Sequence, residues 1–235
     1  MAVFGHQPLH FVGMNEATNF QVECTMPRLT TLALTIALFS LPAQAKDPSL
    51  GATTFTVYEA FLSPAQEPGE ESETPKALQK SLGATAPSVP RESRKSRGYG
   101  QIRFARDLSK AYVEVEFQGV NPADILMFHI HCGPPGVLGP IIVDFGESES
   151  PAKQLSEGKL SVELTNKNVR FIKDMPGLKP SLPESCPAEL GFLAQAKTLA
   201  SLEYLAKKGV LYFNLHTKAH TYYGEMRGQI YAVQQ

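Results

Sequence analysis

The sequence predicts an all-β protein: an antiparallel, Greek-key-like β-sandwich or barrel with one amphipathic helix and long loop insertions. Three observations point there. Short segments rich in β-branched and aromatic residues recur along the chain, and the clearest of them alternate apolar with polar side chains. Gly, Pro and Asp clusters separate them as turns. Only the stretch 190–208 spaces its apolar residues helically. The 235 residues are 43% hydrophobic and 19% charged, a globular rather than a disordered composition. A formal net charge of −1, with no basic block, argues against nucleic acid as the main partner.

Taken in order, residues 53–63 read as the first strand, ended by Pro64 to Pro68. Residues 69–97 are dense in Glu, Ser, Pro and Lys and read as a mobile insertion, with the basic residues Arg91 to Arg97 on a solvated loop. Residues 98–106 and 111–118 form a hairpin about Asp107–Lys110, and in its second strand Val113, Val115 and Phe117 share the buried face. Residues 125–131 are the next strand. Leu126, Phe128 and Ile130 are assigned to its core face, and Ile125, Met127, His129 and His131 to the opposite one. A Gly/Pro-rich turn, 133–140, leads to short strands at 141–145 and 159–164. Residues 173–190 read as a long loop holding Cys186. The helix at 190–208 follows and is stopped by Gly209. Residues 210–217 and 223–233 close the chain as two strands joined by a short connection.

The N-terminal region reads as an export signal. Met26-Pro27-Arg28 opens a basic segment, 29–41 is apolar but too short to span a bilayer, and Pro42-Ala43-Gln44-Ala45 supplies a cleavage pattern. Residues 26–45 are therefore expected to be a signal peptide cleaved near Ala45. Residues 1–25 form an upstream extension or reflect a start assigned too early. The expected mature domain, 46–235, would reside in the periplasm or outside the cell, with no membrane span. Cleavage removes Cys24 and leaves Cys132 and Cys186, an even pair that suggests one disulfide in an oxidising compartment. The alternative is that Cys132, beside His131, is a thiolate metal ligand.

Of the six histidines, His6 and His10 precede the signal. The other four form two pairs, His129 with His131 and His216 with His220. Residues two apart on a strand lie roughly 6.5 to 7 Å apart on one face, and neighbouring strands about 4.8 Å apart. Imidazoles from His129, His131 and His216 therefore converge if their strands are adjacent, and His220 in the following loop would complete the set. All-nitrogen donors in an oxidising compartment suit Cu(II) or Zn(II), with copper held more tightly. Asn214, Glu225 and Arg227 are candidate supports: Asn214 to orient an imidazole, Glu225 and Arg227 to surround the metal, with Arg227 drawing an anion toward it. Their ordinary readings are a backbone hydrogen bond for Asn214 and a paired charge near a sheet edge for the other two.

The segments Phe128-His129-Ile130-His131-Cys132-Gly133 and Gly139-Pro140-Ile141-Ile142-Val143 resemble one signature of the CHRD domain. Tyr212-Phe213-Asn214-Leu215-His216-Thr217 and Gly224-Glu225-Met226-Arg227-Gly228-Gln229-Ile230 resemble its second, and Leu62-Ser63-Pro64-Ala65-Gln66-Glu67 is similar to its opening. The resemblance covers roughly residues 53–233 and implies an exported β-sandwich module. The histidine pattern is also similar to that of copper/zinc superoxide dismutase, as an analogy of fold and site. Three functions follow as expectations: a non-catalytic exported module binding copper or another divalent metal, a superoxide dismutase-like enzyme, or a structural or adhesive envelope module without metal. No nucleophile array, P-loop or dinucleotide fingerprint supports hydrolase or nucleotide chemistry.

Overall fold

A computed structural model describes residues 46–147, 151–170, 186 and 196–233. The expected signal peptide at 26–45, residues 1–25, most of the 173–190 loop and the first turn of the expected helix lie outside the described residues. Nine strands are present among them: β1 (Phe55–Leu62), β2 (Arg97–Ala105), β3 (Ala111–Gln118), β4 (Ile125–Cys132), β5 (Ile141–Asp144), β6 (Lys159–Leu164), β7 (Leu211–Thr217), β8 (Met226–Gln229) and β9 (Tyr231–Ala232). They form two sheets, β6-β3-β2-β1-β9 and β5-β4-β7-β8, paired antiparallel throughout. The architecture is the expected all-β sandwich.

Alternation builds the core. Ile102, Phe104, Val113 and Val115 of the first sheet are buried, as are Phe128, Ile130, Phe213 and Leu215 of the second. Phe128 stacks on Phe145 at 5.1 Å and on Phe213 at 5.5 Å, and meets Phe117 edge-on at 5.1 Å. The sheets approach closely where β2 carries Gly100: a Cβ there would lie 2.7 Å from the Phe213 ring. Cys132 also faces this core and is joined to Cys186 in a disulfide, with a Cα–Cα separation of 5.8 Å. That places its sulfur on the face opposite His131 and excludes the thiolate-ligand alternative.

Several expectations change. Among the described residues three short α-helices are present rather than one: α1 (Lys76–Leu82), α2 (Pro151–Ser156) and α3 (Leu199–Lys207). Within the helix expected at 190–208, residues 196–198 are not helical: the helix starts at Leu199, where Thr198 caps it reciprocally with Ser201, and it buries Leu199, Leu202, Leu205 and Ala206. Leu126 is 45% exposed, not core. The β4–β7 register slips between Ile125 and Met127, so Leu126 drops out of the alternation. The single strand expected at 223–233 is divided: β8 pairs with β7 in one sheet, β9 pairs with β1 in the other, and buried Ile230 makes the crossing.

The polar segment 69–97 has structure of its own. It contains α1 and two 3-10 turns, and it buries Glu71, Thr74, Arg94 and Ser96. Glu71, Arg94 and Ser96 are buried because they satisfy the loop 218–225, while Thr74 donates to the Glu71 carbonyl. Glu71 accepts from the Tyr222 and Tyr223 amides at 3.1 and 3.2 Å. Arg94 donates to the Gly224 and Glu225 carbonyls, both at 2.9 Å. The Thr85 amide donates to the Lys218 carbonyl at 2.8 Å.

Candidate metal centre

β4 and β7 are neighbours, and their register pairs Met127 with His216, His129 with Asn214 and His131 with Tyr212. This ladder puts His129, His131 and His216 on the sheet face away from the core. Their ring centroids lie 5.3 to 5.8 Å apart. One nitrogen from each ring falls within 4.8 Å of the corresponding nitrogens of the other two. All three rings are buried, at 2, 7 and 5% exposure.

Each ring has one nitrogen facing an acceptor. His131 Nδ1 lies 2.9 Å from the Gly139 carbonyl and His216 Nδ1 lies 2.9 Å from the Thr221 carbonyl. His129 Nε2 faces Asp144 Oδ1 at 3.6 Å. The remaining nitrogens, His129 Nδ1, His131 Nε2 and His216 Nε2, are buried without a hydrogen-bond partner. Burial holds all three imidazoles well below the usual histidine range, His131 at about 3 and His216 at about 4. For His129 and His131 the neighbouring imidazoles add to the effect, and for His131 the Arg227 cation does as well. The rings are therefore neutral at pH 7, the form that ligates a metal.

A stacked group supports His131. Its ring lies on Tyr212, 5.0 Å between centroids and 13° from parallel, and the Arg227 guanidinium lies 3.5 Å from the same Tyr212 centroid. Arg227 donates to the Val137 and Pro134 carbonyls at 2.9 and 2.8 Å, and the Gly139 amide donates to the Tyr212 hydroxyl at 3.0 Å. The turn that offers its carbonyl to His131 is thus held from two sides.

A family model for the CHRD domain matches residues 79–230, spanning both histidine segments. The chain belongs to the CHRD domain family. No curated protein and no solved structure matches it, so the likeness to copper/zinc superoxide dismutase finds no support there. Strand β1 and the Leu62–Glu67 segment precede the CHRD match, although β1 pairs with β2 along its whole length.

The CHRD domain does not bring His220 to the other three histidines. Its Nδ1 engages Glu225 and its Nε2 lies 3.0 Å from both the amide and the carbonyl of Val89. The reason is local: Thr217 and His220 form a bridge that turns the chain back on itself and points this ring toward the 69–97 segment. Glu225 serves His220, and Ser96 donates to it at 2.6 Å. Asn214 donates to the Tyr223 carbonyl at 3.1 Å and reaches Glu67, rather than orienting an imidazole. Arg227 is committed to backbone carbonyls and Gln229 rather than to Glu225.

Four contributors escaped the sequence reading. Asp144 is the one with a signal, a lone carboxylate in the apolar strand beside the histidines. Gly139 and Thr221 act through carbonyls, which no side chain advertises. Glu67 is buried beside Asn214, and burial pushes it up to about 8 despite the Arg227 and Arg94 cations.

Proposed function

We propose that this CHRD protein is an exported, non-catalytic module that binds copper, or less tightly zinc, through His129, His131 and His216. The observation that carries this is the set of three inward imidazole nitrogens left without partners. A buried polar atom without a hydrogen bond costs about 1 to 3 kcal/mol. Three lone pairs gathered at one point are unfavourable unless a cation joins them. Histidines that only hold a fold use both ring nitrogens, as His220 does with Glu225 and Val89. The donor set is neutral and all nitrogen, and the Irving–Williams order ranks copper above zinc for it. Export is supported by the signal-like residues 26–45 and by the disulfide.

The enzyme alternative asks for a cation free to guide an anion to the metal. Arg227, the expected candidate, directs its Nη1 and Nη2 groups at carbonyl oxygens. The test is metal analysis of the protein recovered from the exported fraction without a histidine tag, followed by titration with Cu(II) and Zn(II). One equivalent of tightly held copper is expected. Failure to retain copper at near-stoichiometric concentration would end the proposal.

A further inference from the structure

We infer that the three histidines present different ring nitrogens, His129 through Nδ1 and His131 and His216 through Nε2, and that Asp144 is the positioning residue that sets this asymmetry. The inference rests on the metal reading above for its purpose, but its geometry stands in the metal-free protein.

A carbonyl oxygen only accepts. The nitrogen that faces one in a neutral imidazole therefore carries the proton, and the other carries the lone pair. His131 and His216 both turn Nδ1 to a carbonyl, at 2.9 Å each, so both are Nδ1–H tautomers with Nε2 free. His129 is oriented the other way round. Its Nδ1 is the buried nitrogen without a partner, and its Nε2 faces the Asp144 carboxylate.

Asp144 stands directly opposite His129 in the β4–β5 ladder. Its Oδ1 also accepts from the Gly146 amide at 2.8 Å, which fixes the carboxylate in place. At 3.6 Å the contact with Nε2 is electrostatic rather than a formed hydrogen bond. The carboxylate still decides between tautomers. With the proton on Nε2, its positive end meets a negative oxygen. With the proton on Nδ1, a lone pair would meet that oxygen, and the proton would point into the cluster with no acceptor in reach, because the inward nitrogens make no hydrogen bond with one another. The adjacent His129 and His131 thus use opposite edges of their rings because one neighbour is a carboxylate on a paired strand and the other a carbonyl in a turn.

The test uses the full chain with 15N-labelled histidine, stripped of metal by a chelator. Long-range 1H–15N correlation spectra at neutral pH read each tautomer directly, with rings assigned through single His→Gln variants. Nε2–H at His129 together with Nδ1–H at His131 and His216 is expected. Nδ1–H at His129 would overturn the assignment. Asp144→Ala is expected to populate the Nδ1–H form of His129 and to weaken Cu(II) binding by about 10- to 100-fold, with Asp144→Asn in between. A tautomer unchanged in Asp144→Ala would overturn the positioning role, and circular dichroism checks that this variant is folded. A wild-type chain that takes up no copper would defeat the proposed function, while the apo spectra would still decide the tautomers.

Discussion

A histidine's two nitrogens divide the four candidates more sharply than their spacing does. His129, His131 and His216 each leave one nitrogen unpartnered, whereas both nitrogens of His220 have partners. Alanine at any of the first three positions is therefore expected to abolish near-stoichiometric copper uptake, and His220→Ala to leave it in place. His220→Ala should instead lower stability by about 1.5 to 3 kcal/mol, because it removes a hydrogen bond to a buried carboxylate. Copper titration with urea denaturation separates the two effects. Loss of copper in His220→Ala with the fold intact would contradict the division. The convergence of three of the four histidines was legible because strand alternation fixes which way a side chain points. His220 was not, because a loop obeys no such period and the Thr217–His220 bridge decides its direction.

Among the elements, the segment 69–97 has the least obvious role, because composition marks it as loop while its contacts make it a strap. It holds the loop 218–225, and that loop supplies the Thr221 carbonyl that orients His216. Glu71→Ala releases the amides of Tyr222 and Tyr223 and should cost about 1 to 3 kcal/mol. It should also weaken copper binding by roughly 10-fold through His216, as loss of an outer support does at metal sites. Thermal unfolding with and without copper measures both. An unchanged copper affinity would show that the His216 orientation does not depend on the strap. The strands themselves were readable, since β3 and β6 follow from alternation and length. What alternation cannot reveal is the partner of a strand. The passage of 226–232 from one sheet to the other, and the slip that exposes Leu126, depend on the register against β7 and β1.

At the scale of the molecule, buried titratable groups of opposite sense predict a stability maximum for the metal-free protein. An unfolded histidine binds a proton below about pH 6.5. The folded imidazoles resist it, His131 until about 3 and His216 until about 4, with His129 also lowered. Their contribution is thus present above pH 6.5 and is lost as the pH falls toward 4 and 3. Glu67 works the other way, since its folded value is raised from 4.5 to about 8. Its contribution is present below 4.5 and is lost as the pH rises through 8. Between these limits the balance follows from the protons carried. From pH 4.5 to 6.5 the unfolded chain holds three more on the histidines and the folded chain one more on Glu67, so stability rises with a slope of about two protons. From 6.5 to 8 only the Glu67 difference remains, and stability falls. Urea denaturation across this range should therefore peak near pH 6.5. Glu67→Gln should flatten the alkaline side alone, and the His129, His131 and His216 triple change to Gln should flatten the acid side. Bound copper should raise the whole curve near neutrality by about 2.7 kcal/mol at a free concentration a hundred times its Kd. It should also steepen the acid limb, because protons displace it from the imidazoles. An acid limb untouched by the triple change would mean that other groups control it and that these rings are not held neutral by burial.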